Sequence, residues 1–323
     1  MTTATAEKRE RQNAQVNVEA FIDPDQPLSW SRQMVSLLRA GHYREGYEIL
    51  AEKMPFVENM LRPYAERLAG QENFWTRIHD QMVAHLDLSE PRRVLDLGCA
   101  IGCHAIELAR RGHETWGVDV LPVMIERGRE LAGSLGLADR VHLIDGDVRH
   151  LDWYLEPESL DAVIACDIFE HLDDDALREV LEGLRGVLRP GGKIVVQTSP
   201  GRFYYWFEPH RWKLMALLIP MAWLPDRAFS SYVRWLEAGP LAHLRNEHKR
   251  FYLHEYGHIN CMDHDHLRCL LEGAGMVDVV TYAVHAHPGQ KDEGCMRTWW
   301  SWALFGGKSA ACRNVFGIAT NPD

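Results

Sequence analysis

The residues best suited to bind a cofactor lie in a glycine-containing turn. Residues 93–102 read RVLDLGCAIG, which predicts a buried strand, a turn and the start of a helix. Gly98 and Gly102 would let backbone N–H groups approach a ligand closely. The outline Gly98-x-Ala100-x-Gly102 also serves nicotinamide and flavin cofactors, so by itself it indicates a nucleotide-like ligand without naming one.

Two acidic residues narrow the identity of that ligand. Asp119 ends the next predicted strand, WGVDV, where a carboxylate can accept hydrogen bonds from both hydroxyls of a ribose. Asp147, in DGDV, is predicted to end the third strand, where it could accept from an adenine amino group. Ligands of open α/β sheets bind at the carboxyl ends of strands. The pattern therefore predicts a nucleoside-containing cofactor.

A run of acidic residues and histidine follows the fourth predicted strand, DAVIAC. It contains Asp167, Glu170 and His171 in the sequence DIFEH. Glu170 is expected to act as a general base, a role worth about 10²- to 10⁴-fold in rate. Alternatively, Glu170 and His171 cap the helix predicted to begin near Asp173, where negative charge is favoured.

Histidines are concentrated near the end of an interruption in the strand pattern. Six of them lie between residues 243 and 266, together with Cys261 and Cys269. The segment contains no Cys-x-x-Cys pair, so the spacing does not favour structural zinc. His254 or His258 is expected instead to contact a substrate, because the segment leads back into the sheet.

The interruption begins with an aromatic segment, RFYYWFEPHRW, at residues 202–212. Aromatic faces stabilise cations by about 0.5 to 2 kcal/mol each, so the segment indicates an apolar or planar substrate or a cationic intermediate. A second small core is the alternative. A basic cluster further on would complement a phosphate or carboxylate, or form a solvated face. The expected substrate contacts are Tyr205, Trp206, Arg211, Trp212 and His254, and the basic cluster is Arg245, Lys249 and Arg250.

The elements that must position these residues alternate between strands and helices. From residue 93 the strand-like runs are VLDL, TWGVDV, VHLIDG, DAVIAC and KIVVQTS, with helical segments between them. This alternation predicts an α/β fold, a doubly wound, mostly parallel sheet. Two further strands, near 276–285 and 315–320, would make seven. We expect a tail and helical cap over 1–90 and the sheet domain over 91–323, with an inserted lid at about 200–260.

Composition limits the class of protein. Hydrophobic residues make up 46% and charged residues 25%, as in ordinary globular proteins. The net charge of −11 argues against a nucleic acid partner. Seven scattered cysteines favour a reducing, cytoplasmic location. The first fifteen residues do not resemble a signal peptide, and the longest apolar stretch, Leu214 to Pro225, has only 12 residues, so stable membrane insertion is not expected.

Five ordered motifs resemble those of class I S-adenosylmethionine-dependent methyltransferases. They are VLDLGCAIG, the acidic end of WGVDV, GDV, DIFEHL and LRPGGK, and the resemblance covers about 93–200 and resumes at 258–285. It implies a Rossmann-like fold and S-adenosylmethionine as cofactor. Position 100 departs from the family by carrying alanine in place of a third glycine. The resemblance implies that Asp96, Gly98 and Gly102 hold the methionine part of the cofactor, Asp119 the ribose, and Asp147 with Val148 the adenine. The other expected cofactor-binding residues are Cys99, Ala100, Val120 and Cys166.

The DIFEH run, with a distant histidine, also resembles the metal site of ubiquinone-pathway O-methyltransferases and small-RNA 2′-O-methyltransferases. That resemblance implies Asp167, Glu170, His171 and His258 as ligands of Mg²⁺ or Mn²⁺. The EHL sequence also occurs in relatives that use no metal. We therefore take Glu170, His171 and His258 as catalytic candidates and keep the metal as an open alternative.

The methyl acceptor is expected to be a small hydrophobic or amphiphilic molecule. The chain loosely resembles actinomycete C-methyltransferases of prenyl diphosphates, in which methylation of an alkene would create a carbocation and Glu170 would take the proton. A metal-assisted O-methyltransferase of a phenol or catechol is the second hypothesis. A cofactor-binding scaffold is the third, and the N-terminal helices could join copies into a homo-oligomer.

Overall fold

A computed structural model describes residues 29–53, 61–62, 64–66, 71, 73–90, 92–202, 216–243, 256–284, 308–309 and 312–322. Seven strands form one sheet. In chain order they are β1 (Arg93–Leu97), β2 (Glu114–Asp119), β3 (Val141–Asp145), β4 (Leu160–Cys166), β5 (Leu188–Thr198), β6 (Val277–Val284) and β7 (Asn314–Thr320).

The order of strands across the sheet is β3-β2-β1-β4-β5-β7-β6. The five strands β1 to β5 are parallel to one another, whereas β7 runs antiparallel to both of its neighbours. The predicted seven-stranded, mostly parallel α/β sheet is therefore confirmed. The chain winds from β1 to β3 in one direction and continues from β4 in the other, so the switch point lies between β1 and β4.

Helices bury apolar residues against the sheet. In the helix after β4, Leu177, Val180, Leu181 and Leu184 recur at helical spacing, and all four are fully buried. The helices are α1 (Ser29–Arg39), α2 (Tyr43–Lys53), α3 (Phe74–Val83), α4 (Cys103–Arg110), α5 (Pro122–Ser134), α6 (Asp174–Val187), α7 (Asp226–Ala238) and α8 (His264–Gly273). No helix among these described residues is long and apolar enough to cross a membrane.

Two local predictions are corrected by the structure. β3 ends at Asp145, so Asp147 lies beyond the strand and caps a short 3₁₀ helix, Val148–Trp153, by accepting from the Arg149 backbone. The N-cap of α6 is Asp173 itself, whose side chain accepts from two backbone N–H groups. Glu170 and His171 are therefore not the caps of that helix, and their side chains have other partners.

The first two helices pack on the rest of the fold. Met34 and Leu38 of α1 and Leu50 of α2 are buried in the same core cluster as β1 and α6. This packing places α2 against the carboxyl ends of the strands. Helix α7 falls within the segment predicted as a lid, and the division into a cap, a sheet domain and a lid stays a prediction.

Candidate functional site

The loop after β1 has a backbone that favours glycine at two positions. Gly98 has φ of 67° and Gly102 has φ of 74°, both in the left-handed region. A Cβ added at Gly98 would lie 2.7 to 2.9 Å from three side-chain atoms of Ile168, so no larger residue fits there. Ala100 also has a positive φ, 47°, and therefore carries the strain that the missing glycine would relieve.

Asp119 joins this loop to the end of β2. One carboxylate oxygen accepts from the Ala100 N–H at 2.8 Å and the other accepts from the Leu121 N–H at 2.9 Å. Burial raises the pKa of Asp119, and these two hydrogen bonds oppose the rise. The residue expected to hold a ribose is thus already part of the turn that shapes the loop.

Asp96 lies beneath the same loop. Its side chain is 2% exposed and accepts from the Ala105 N–H, in the first turn of α4, at 3.1 Å. Burial, with a smaller contribution from the charge of Asp119, raises the pKa of Asp96 to about 7. Asp96 can therefore exchange a proton near neutral pH.

Asp147 is held by a near neighbour in the chain. Its carboxylate accepts from the Arg149 side chain, at 2.6 Å for the shortest contact. Burial raises the pKa of Asp147, but the hydrogen bonds and the charge of Arg149 outweigh burial and hold the pKa below its usual range. An adenine amino group would have to share the Asp147 carboxylate with Arg149.

Two valines expected at the cofactor site have apolar surroundings. Val148, the next residue after Asp147, is buried, and Val120 packs against the cluster of Ile101, Leu121 and Met124.

The three cysteines near the loop are not activated thiols. Burial raises the pKa of Cys99, Cys103 and Cys166, so each stays protonated at neutral pH. The Cys166 thiol donates to Gln197 Oε1 at 3.2 Å. Cys99 and Cys166 can therefore shape the site without acting as nucleophiles.

An open pocket of about 160 Å³ extends from the loop at the switch point. One wall of the pocket is formed by the N-terminal region and α4, and it was not predicted from the sequence. In this wall the Nδ1 atoms of His79 and His104 are 2.7 Å apart. The lining residues are Tyr64, Trp75, Thr76, His79, Gly98, Cys99, Ala100, Ile101, Cys103, His104, Glu107, Cys166 and Asp167.

Two carboxyl groups meet beside this pocket. Asp167 lines it and adopts a positive φ of 49°, whereas Glu170 is fully buried behind it. Ser199 Oγ donates to Asp167 at 2.9 Å, and Thr198 Oγ1 donates to Glu170 at 2.7 Å. Burial and the charge of Asp167 raise the pKa of Glu170 well above its usual range. A proton on Glu170 would relieve the repulsion between the two carboxylates.

Glu170, His171 and His258 form a cluster. One ligand atom from each lies within 4.8 Å of the others, so the structure brings together three of the four residues suggested as metal ligands. Burial lowers the pKa of His171 to about 4 and that of His258 well below its usual range. Neutral imidazoles and one carboxylate are a donor set that suits a divalent transition metal. Asp167 is outside this group of three.

Residues 94–192 match a family model described as a methyltransferase domain. The loop at Gly98, the acidic residue that ends β2 and the strand order fit that match. This segment is similar to methyltransferase domains. The match leaves the rest of the chain without a family assignment.

Curated proteins are similar to part of this chain. The methyltransferase GfsG of Streptomyces halstedii is 34% identical over 121 residues, which are 37% of this chain and 42% of that protein. A sterol 24-C-methyltransferase of Clavispora lusitaniae is 34% identical over 119 residues, 36% of this chain and 31% of that protein. The chain thus matches less than half the length of these curated relatives. The structure of a geranyl diphosphate C-methyltransferase from Streptomyces coelicolor A3(2) has 15% identity and a TM-score of 0.47, covering 76% of this chain and 79% of that one.

Tyr47, from α2, is a residue at the site that sequence reasoning missed. Its hydroxyl lies 2.8 Å from His171 Nδ1, across 124 positions of sequence. Tyr43 and Tyr47 are four residues apart and so share one helix face, which is the signal that could have drawn attention to them. The candidate site therefore receives one of its side chains from the N-terminal helices.

Other predicted site residues stay predictions or have structural partners. The proposed substrate contacts Tyr205, Trp206, Arg211, Trp212 and His254, and the basic cluster Arg245, Lys249 and Arg250, lie outside the described residues. His266 lies 3.1 Å from Asp174. Within the described ranges, the cysteines and histidines of 256–269 other than His258 join no group with metal-ligand spacing.

Proposed function

We propose that the protein is a methyltransferase that moves the methyl group of S-adenosylmethionine to a small hydrophobic or amphiphilic molecule. One observation carries the proposal: Gly98 and Ala100 line the same pocket as Asp167, and the side chain of Asp167 contacts that of the buried Glu170. Cofactor residues and a carboxylate pair therefore meet at one cavity, at the switch point of the sheet. This is the place where open α/β sheets bind ligands.

The cofactor supplies an activated methyl group, so the protein has to align the acceptor, exclude water and remove a proton. Asp119 and the loop amides would orient the ribose and the methionine part. The Asp167–Glu170 pair would receive the proton that the acceptor loses. Because the pair is buried, its basicity exceeds that of an ordinary carboxylate once a proton has left it.

For the acceptor, the most specific proposal is C-methylation of a prenyl diphosphate. Methyl transfer to an alkene carbon would use the electron pair of the double bond, and the resulting carbocation would lose a proton to Glu170 or through Asp167. The aromatic segment at 202–212 would stabilise the cation, and the basic cluster with Mg²⁺ would bind the diphosphate. Two of the similar proteins are sterol C-methyltransferases, from Caenorhabditis elegans and Clavispora lusitaniae, and they support carbon as the acceptor atom.

A second candidate function is metal-assisted O-methylation of a phenol or catechol. The cluster of Glu170, His171 and His258 favours it, because those residues would hold a divalent ion able to lower the pKa of a bound hydroxyl. A rice protein named as a probable tocopherol O-methyltransferase is 31% identical over 162 residues. A cofactor-binding scaffold would share the cofactor residues but would need neither carboxyl group of the pair.

The test is an incubation with methyl-labelled S-adenosylmethionine and three sets of acceptors: prenyl diphosphates, phenols and sugars. Each set is run with Mg²⁺, with Mn²⁺ and with a chelator, and products are identified by mass and by position of the label. Labelled carbon in a prenyl chain supports the first function, and a labelled ether from a phenol supports the second. Cofactor binding without any transfer to these sets or to a cell extract would leave the scaffold.

A further inference from the structure

Helix α2 contacts loops that follow two different strands. Arg44 pairs with Asp145 at the end of β3, and Tyr43 donates to Asp173 after β4. One turn further along the helix, Tyr47 contacts His171 of the cluster formed with Glu170 and His258. The ring of Tyr47 also packs against the group formed by Ile101, Leu121 and Met124. One helix therefore touches both the cofactor loop and the acid–histidine cluster.

The hydroxyl of Tyr47 has two neighbours that can form hydrogen bonds. His171 Nδ1 is 2.8 Å away and the carbonyl oxygen of Gly257 is 3.3 Å away. The Tyr47 and His171 rings meet edge to face, with centroids 5.3 Å apart. Gly257 has a φ of 71°, and a Cβ there would lie 2.9 Å from Leu38 and 3.2 Å from the Tyr47 ring. Glycine is thus required for this carbonyl to come so close.

One placement of the protons satisfies Tyr47, His171 and Gly257 together. The carbonyl of Gly257 can only accept, and the hydroxyl of Tyr47 has a single proton. Both contacts are satisfied when Tyr47 donates to Gly257 and His171 donates from Nδ1 to the Tyr47 oxygen. The proton of the neutral imidazole is then on Nδ1, and Nε2 keeps its lone pair.

We infer that Tyr47 is a positioning residue, whose hydroxyl holds His171 in the Nδ1–H tautomer so that Nε2 is left as an acceptor on a ring that packs edge to face against His258. This inference rests on the proposed function only for its consequence, which is that Nε2 can bind a substrate hydroxyl or a divalent ion. Because Tyr47 belongs to α2, this orientation of His171 requires the N-terminal helices to be docked on the domain. Docking of α2 would then order the loop after β1 and the side chain of His171 together.

The direct test is the tautomer of His171, read from two-bond ¹H–¹⁵N correlation spectra of histidine-labelled protein at neutral pH. The signals are assigned as those missing from His171→Gln. We expect the Nδ1–H form in the parent and a shift toward the Nε2–H form in Tyr47→Phe, which keeps the ring and removes only the hydroxyl. A parent in the Nε2–H form, or a Tyr47→Phe spectrum identical to the parent's, would overturn the inference.

A second tyrosine–histidine pair supplies the matched control. Tyr282 Oη lies 2.7 Å from His85 Nε2, between β6 and the end of the N-terminal helical region. Tyr282→Phe should change the signals of His85 and leave those of His171 untouched. If Tyr282→Phe disturbs His171 as much as Tyr47→Phe does, the effect is a general loosening of the fold and the positioning role fails.

The kinetic readout separates this inference from the proposed function. With an accepted substrate, Tyr47→Phe should lower kcat by about tenfold or more with a smaller change in the KM for the cofactor. If no acceptor is methylated yet the tautomer depends on Tyr47, the proposed function fails and the positioning role stands. If an acceptor is methylated but the tautomer of His171 is the same in Tyr47→Phe, the proposed function stands and the positioning role fails.

Discussion

The carboxylate of Asp119 accepts a hydrogen bond of 2.8 Å from the backbone N–H of Ala100. The residue proposed to hold the ribose therefore also shapes the loop proposed to hold the methionine part. A substitution at Asp119 should accordingly have two measurable effects, one on cofactor binding and one on the loop itself.

Asp119→Ala is expected to weaken S-adenosylmethionine binding by about 1.5 to 3 kcal/mol, because a charge-assisted bond to the ribose is lost. It should also lower the free energy of unfolding of the cofactor-free protein, since two backbone N–H groups lose their acceptor. Calorimetry measures the first effect and denaturant titration the second. Asp139→Ala, at an exposed position just before β3, is the control, and equal losses of cofactor affinity in both variants would remove Asp119 from the binding site.

Gly98→Ala and Ala100→Gly should differ sharply although each changes one methyl group. Alanine at 98 would adopt a left-handed backbone and collide with Ile168, so we expect a loss of about 2 to 4 kcal/mol in the free energy of unfolding. Glycine at 100 relieves the strain of a positive φ but loses more entropy on folding, which leaves stability within about 1 kcal/mol of the parent. Thermal or urea unfolding checks both, and similar results for the pair would contradict the left-handed geometry of the loop.

Asp96 should make the stability of the cofactor-free protein depend on pH. Because its pKa in the folded protein is raised to about 7, folding favours the protonated form. Its contribution is therefore fully present below about pH 4, is lost as pH rises toward 7, and amounts to at most about 4 kcal/mol. Asp96→Asn stays neutral and should gain stability relative to the parent between pH 5 and pH 8. Urea unfolding across that range measures the gain, and a constant difference would show that Asp96 is ionised throughout.

Glu170→Gln separates the two mechanisms proposed for the cluster. If Glu170 takes a proton, the variant should bind the cofactor normally and turn over about 10²-fold more slowly at every metal concentration. If Glu170 is a metal ligand, excess metal should partly restore the rate by mass action. The measurement is rate against Mg²⁺ or Mn²⁺ concentration for parent and variant. Near-parental turnover throughout would assign Glu170 a structural role.

Short-range features of the site follow from the sequence. Asp119 ends β2 as the apolar run before it indicates, and Gly98 and Gly102 occupy left-handed positions where glycine is favoured. The seven-stranded sheet was predictable because alternating strands and helices restrict the possible topologies. In each of these cases the pattern of the sequence around the element marks its position, although the strand pairings themselves join distant residues such as Lys193 and Thr320.

Contacts that join distant parts of the chain were not predictable in the same way. Periodicity places Tyr47 on a helix, but only the docking of that helix brings it to His171. The pocket wall at Tyr64, His79 and His104 likewise depends on how the N-terminal region packs. Arg149 is only two residues from Asp147, yet the competing ion pair was missed because strand-end reasoning considered the ligand and not the neighbouring side chain.

The position of β7 between β5 and β6 affects how the protein is made. The three strands pair only through β7, which is the last of them to leave the ribosome. At ordinary rates of synthesis, the edge of β5 waits roughly ten seconds before Asn314–Thr320 emerges. During that time an unpaired edge with Val195 and Val196 is exposed to other nascent chains. We therefore expect yield of folded protein to rise when expression is slowed or when a chaperone that shields strand edges is co-expressed.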